Sequence, residues 1–201
     1  MIAGGKGGSE TNKHGLWFEF NTDLEKILIN LGYEVTEIAP AKRGTKTKAY
    51  SVSMSGKQIG ILLSKSRLYE VLKNLADENS ISWTNTLSAN LEPDTAFLNL
   101  ETKTLHILEK KAMKVSGSVD EKLQTFPFKI RQYRKLLDGL LLESQEIKIH
   151  FAYILSFWFQ RPGYADVLEY MREHNVEYWI QESEDDWSLP ISIMGLKENK
   201  S

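Results

Sequence analysis

The sequence predicts an α/β fold, a central mixed sheet flanked by helices. Three observations lead there. Helix-like and strand-like segments alternate along the chain, two strand-like segments between residues 95 and 111 flank a short polar turn, and residues 148–159 form a nearly continuous apolar run, as a strand buried on both faces requires. With 201 residues, 41% of them hydrophobic and 26% charged, the chain is expected to fold as one domain with a sizeable core.

Trp17, Phe20, Leu24, Ile27, Leu28 and Leu31 recur at helical spacing, and Gly32 is a good stop for that helix. Tyr33 to Ile38 reads as a strand. A basic loop with Lys42, Arg43, Lys46 and Lys48 follows, then a strand from Gln58 to Leu63. Ser64 to Asp77 reads as a helix with Leu68, Val71, Leu72 and Leu75 on one side. Ser80 to Leu91 is polar and carries no periodic signal. After the hairpin, Ser118 and Glu121 form a capping box: the serine oxygen accepts from a backbone N–H and the glutamate reaches back. A helix starting there is expected to run to about Leu142, bent at Pro127. Beyond the buried strand, Tyr164 to His174 reads as a helix and Val176 to Ile180 as a strand. The acidic stretch Glu182 to Trp187 carries no assignment.

Composition excludes several functions. Without cysteine there are no disulfides, thiolate zinc sites or cysteine nucleophiles. His14, His106, His150 and His174 are scattered without metal-ligand spacing, so zinc is not expected. No apolar run reaches the ~18 to 20 residues of a membrane span. Met1 to Gly8 is glycine-rich without a secretory apolar region, and a cytoplasmic location is expected. Gly5-Lys6-Gly7-Gly8 lacks the preceding strand and the terminal elements of a phosphate-binding loop. Net charge is −2, but from Lys103 to Lys135 nine Lys or Arg face three acids, whereas from Leu168 to Asp186 seven acids face only Arg172. A chain with one basic side can hold a polyanion on it.

The hairpin carries the chemistry. In an antiparallel pair, opposed residue numbers sum to a constant, and a turn centred between Glu101 and Thr102 sets Asp94 opposite Glu109. Lys111, two residues on, shares their face with Ala96, Leu98, Leu100, Leu105 and Ile107. That face is thus apolar along its length and charged at its end, while His106 points the other way. Two converging carboxylates raise each other's pKa unless a cation stands between them. Mg²⁺ suits that place: it takes oxygen ligands, keeps several waters and completes its shell with phosphate oxygens. Lys111 is then expected to stabilise charge developing on a phosphorane or to orient the attacking water.

Pro93-Asp94, fourteen intervening residues, then Glu109-Lys110-Lys111 resembles the signature of the PD-(D/E)xK nucleases, and the predicted order of elements is similar to their core. Val115 to Thr125 and Thr11 to Glu19 resemble stretches of bacterial type II restriction endonucleases. The resemblance implies a restriction-endonuclease-like core over about Thr11 to Phe159 in a single nuclease domain, 1–201, with 42–91 as a family-specific insertion or DNA-recognition region. It implies a type II enzyme that uses Mg²⁺, with Mn²⁺ as a substitute, and cuts double-stranded DNA at a short sequence. A homodimer paired in function with a cognate DNA methyltransferase is expected. It also implies a glutamate of the first helix in the metal site. Glu19 is the matching position, at the edge of the apolar face, and Glu10 is the alternative. The candidate catalytic residues are therefore Asp94, Glu109, Lys111 and Glu19, the three acids being the metal ligands.

Free N–H groups at the Gly117-Ser118 helix start suit a backbone phosphate, with Lys114, Lys122 and Lys129 nearby. Lys13, Lys42 and Arg43 are further candidate DNA contacts. Gln160-Arg161-Pro162-Gly163 reads as a structural turn. Two competing functions are a junction-resolving or repair nuclease of the same fold and a non-catalytic DNA-binding module. The intact Asp94, Glu109 and Lys111 argue against the second.

Overall fold

A computed structural model of the chain describes residues 18–19, 21–40, 42, 44, 46–113, 119–183 and 188–197. Alternation of apolar residues builds seven strands into one sheet: β1 (Glu34–Glu37), β2 (Ala49–Met54), β3 (Lys57–Leu63), β4 (Thr95–Asn99), β5 (Thr104–Lys111), β8 (Lys148–Leu155) and β9 (Glu177–Ile180), neighbours in that order. The first five pair antiparallel, while β5, β8 and β9 run parallel. Parallel neighbours need a crossover. Helices α3 (Val119–Leu123) and α4 (Phe126–Leu137) lie in the connection from β5 to β8, and α5 (Ala165–Glu173) in that from β8 to β9. Between α4 and β8, β6 (Leu141–Leu142) and β7 (Gln145–Glu146) pair as a small separate hairpin.

The sheet separates two cores. Ala96, Leu98, Leu105, Ile107, Phe151, Tyr153 and Leu155 pack on one face against α4, α5 and α2 (Arg67–Glu78). Phe97, Leu108, Ala152 and Ile154 pack on the other, against Leu24 and Leu28 of α1 (Leu24–Asn30) and a short 3-10 turn holding Ile191, Ile193 and Met194. Burial on both faces is why β8 lacks polar alternation along its second half. On β3, a Cβ at Gly60 would come within 2.1 Å of the Phe97 ring, so only glycine lets that ring lie across the strand.

The structure is a mixed α/β fold with a mixed central sheet flanked by helices, as expected. Several details differ from the sequence reading. The first helix does not run unbroken through residue 23: Asp23 is extended, and its carboxylate accepts from the Glu25 N–H as an N-cap to α1. Trp17 and Phe20 lie outside the described residues. β2 was not anticipated; with β3 and α2 it places Ala49–Met54 and Lys57–Leu63 in the sheet and packs Arg67–Glu78 against its core. The expected long helix from Ser118 is two helices, because the chain turns at Gln124-Thr125 and Pro127 sits in the first turn of α4, where its missing N–H costs nothing. Leu141 and Leu142 belong to the small hairpin rather than to that helix. The buried strand stops at Leu155, and Phe157–Gln160 form a 3-10 turn. The Ser118 capping position lies outside the described residues. Among the described residues, no helix is long and apolar enough to cross a membrane.

Candidate active site

The turn between β4 and β5 fixes what meets at the far end of the hairpin. The Asn99 side-chain oxygen accepts from the backbone N–H groups of Glu101 and Thr102, both at 3.0 Å. With the turn so pinned, Thr95 pairs with Leu108, Ala96 with Ile107 and Leu98 with Leu105, the expected register. Asp94 and Glu109 are the next residues out, and the start of this strand is tethered where the Lys65 N–H donates to the Pro93 carbonyl at 3.0 Å.

Asp94, Glu109 and Lys111 come together there. The Lys111 ammonium donates to Asp94 Oδ2 at 3.1 Å, to Glu109 Oε2 at 3.0 Å and to the Lys110 carbonyl at 2.9 Å. Three donors meet three acceptors, so the ammonium is fully used. Burial alone would lower its pKa, but the charges of Glu109 and Asp94 outweigh burial and hold it above the ordinary lysine value. Asp94 Oδ2 also accepts from the Lys110 N–H at 2.9 Å. The Glu109 side chain is only 4% exposed, against 43% for Asp94, so the site is a pit with an open lip.

A second lysine completes it. Lys129 of α4 donates to Glu109 Oε2 at 2.7 Å. Lys129, expected among the DNA contacts, is a partner of Glu109. With α4 beginning at Phe126, Lys129 falls at helical spacing with Phe126, Tyr133 and Leu136 on its inward stripe, a phase that an unbroken helix from Ser118 does not give. Two buried tyrosines flank the pit and were not anticipated. Burial first, then the Glu109 charge, raises the pKa of both Tyr133 and Tyr153. The Tyr153 hydroxyl is within 3.4 Å of the Leu123 carbonyl, to which it donates. The Tyr133 hydroxyl is buried and, among the described residues, has no hydrogen-bond partner, an arrangement that costs about 1 to 3 kcal/mol.

The other candidates lie apart. Glu19 is exposed. Its charge is felt with that of Asp23 by Lys110, whose pKa burial lowers and whose ammonium crosses to the opposite face to donate to the Thr22 carbonyl at 2.6 Å. Lys42 and Lys122 are exposed. Glu10, Lys13, Arg43, Lys114 and Ser118 are outside the described residues. Of the basic run, Lys103, Lys110, Lys111 and Lys129 are spent on internal bonds, which leaves, among the described residues, Lys122, Arg131, Arg134 and Lys135 on the surface. A cleft of about 400 Å³ opens beside Thr95, lined on its basic side by Lys46, Lys48 and Lys65.

Among the described residues, no group of three or more Asp, Glu or His side chains is gathered to hold a metal ion, so Glu19 does not join Asp94 and Glu109. Those two acids alone still fit a hard divalent cation. One oxygen of each is taken by lysines, whereas Asp94 Oδ1 and Glu109 Oε1 have no hydrogen-bond partner among the described residues. Mg²⁺ commonly takes one or two carboxylates and fills its shell with water and phosphate oxygens. Comparison with family models, curated proteins and solved structures found no significant match to this chain.

Proposed function

We propose that the chain is a Mg²⁺-dependent endonuclease of the PD-(D/E)xK type with a restriction-endonuclease-like core, hydrolysing double-stranded DNA at a short sequence. The observation that carries this reading is the Lys111 ammonium bonded to both Asp94 and Glu109 at the charged end of an apolar hairpin face. Holding that trio together is expensive unless it is used, because burying ions costs more than most pairs return. A bound Mg²⁺, with Mn²⁺ as a substitute, supplies Lewis-acid polarisation of the phosphate and a more acidic water.

Around it, the chain's own residues have separate tasks. Asp94 and Glu109 would hold the cation, and Lys129, bonded to Glu109 Oε2, fixes that carboxylate in the pit. Lys111, its three N–H groups held by Asp94, Glu109 and the Lys110 carbonyl, sets its positive charge against the phosphate as negative charge develops on the phosphate oxygens. Water adds to phosphorus and gives up a proton to solvent while one P–O ester bond breaks, and the departing oxygen takes a proton up from solvent. The surface cations of α4 and the lysines of the Thr95 cleft receive the flanking phosphates.

One site per chain cuts one strand, so the active form is proposed to be a two-fold homodimer, acting in the cytoplasm beside a methyltransferase that protects the same sequence. Digestion of phage-length linear DNA with Mg²⁺ tests the reading, and a fixed set of discrete bands is expected. Cutting confined to four-way or damaged DNA would replace sequence recognition with shape recognition. Tight binding without cutting of either would favour a non-catalytic module.

A further inference from the structure

Helix α4 turns one stripe toward the site. Phe126, Tyr133, Leu136 and Leu137 on it are buried, and Lys129, one turn before Tyr133, reaches Glu109 at 2.7 Å. The Tyr133 ring packs against Phe151, their centroids 6.5 Å apart. Phe151 lies opposite Ile107 in the β5–β8 ladder, two residues before the Glu109–Tyr153 pair. Tyr133 is fully buried, and its hydroxyl has no hydrogen-bond partner among the described residues. A phenylalanine would fill the same volume without burying an unpaired donor. The fold therefore gains nothing from this oxygen, whereas Tyr153, the ladder partner of Glu109, uses its own hydroxyl on the Leu123 carbonyl.

We propose that Tyr133 is a positioning residue of the Asp94–Glu109 site, its hydroxyl kept free to hold a solvent oxygen beside Glu109. The proposal rests on the nuclease reading for the use made of that solvent, though not for its presence. Buried polar groups without protein partners are where ordered water and functional ligands are found. A hydroxyl that fixes a water next to a carboxylate constrains both the hydration of a bound cation and the position of a reacting water.

The test compares wild type, Tyr133→Phe and Tyr153→Phe, with Mn²⁺ as a paramagnetic probe of cation binding and melting temperature as the check that each is folded. Tyr133→Phe should bind Mn²⁺ about 3- to 10-fold more weakly, the effect of one hydrogen bond. Its kcat on duplex DNA should fall about 10-fold with KM unchanged. Tyr153→Phe should bind Mn²⁺ like wild type. Equal Mn²⁺ affinity in wild type and Tyr133→Phe, or no Mn²⁺ binding by wild type, would overturn the proposal. If wild type binds Mn²⁺ yet cuts no DNA, the nuclease reading falls, and the affinity comparison still decides the role of Tyr133.

Discussion

Two clusters of titratable side chains are buried along β5, three residues apart, and they are built in opposite ways. His106 points to the face covered by the C-terminal residues. Its Nδ1 lies 3.0 Å from His150 Nδ1 and 3.1 Å from the Ile193 carbonyl, and His150 Nε2 contacts Glu177 at 3.0 Å. Burial first, then His150, lowers the His106 pKa to about 4, against the weaker pull of the Ile193 carbonyl, so the ring is neutral at pH 7. Glu109 points to the other face and meets the ammonium groups of Lys111 and Lys129. The first keeps the His106 ring neutral and ties down a chain segment. The other gathers charge at an open lip with carboxylate oxygens to spare. Burial of a titratable group is therefore no sign of function by itself; unspent donors and acceptors at an accessible place are.

The sharpest way to break this contrast is to change one residue in each cluster. Lys111→Met should lower DNA cleavage at least ~100-fold while the protein stays folded, since one transition-state cation is worth a few kcal/mol. His106→Asn should leave cleavage at pH 7.5 within about threefold, because fixed-charge chemistry is not done there. Comparable losses from both variants in a single-turnover assay would erase the distinction.

Acid sharpens the comparison next. The folded pKa of His106 lies below its unfolded value, so its contribution to stability is whole above about pH 6.5 and is lost as pH falls through about 4. At ~1.4 kcal/mol per pH unit that loss is on the order of 3 kcal/mol. Urea melts between pH 7 and 4 should show the decline in wild type and a shallower one in His106→Asn. Parallel declines would mean that other groups carry it.

Smaller effects are expected at the surface. Lys122→Glu should weaken DNA binding a few-fold for all sequences and flatten its salt dependence by roughly one counterion, while Glu169→Lys on the acidic side should not weaken it. Glu19→Gln should change cleavage least, within about twofold, because Glu19 is exposed and apart from the Asp94–Glu109 pair. A loss of 100-fold there would restore it to the metal site.

The hairpin was legible in the sequence because strand alternation ties face to register, and a slip of one residue would have put Glu109 among the apolar side chains of the other core. Asp94, Glu109 and Lys111 therefore met where the numbers predicted. The partnership of Lys129 was not legible, for the opposite reason. A helix running unbroken from Ser118 has a single phase, and the turn at Gln124-Thr125 resets it before α4 begins. Asp23 hid a similar break inside an apolar pattern that reads smoothly across it. β2 escaped notice because Ala49, Tyr50 and Val52 are its only buried residues, and serines fill most of the rest. The segment around Ile191 is too short for periodicity to show that it covers His106.

The nuclease proposal requires the Glu109 carboxylate as a metal ligand rather than as a buried structural acid. Glu109→Gln keeps its size and much of its hydrogen bonding while removing the charge. Incubated with supercoiled plasmid and Mg²⁺, wild type should linearise the DNA, a chelator should stop it, and folded Glu109→Gln should leave the plasmid intact. Cleavage by Glu109→Gln at the wild-type rate would mean that the Glu109 carboxylate is not a metal ligand.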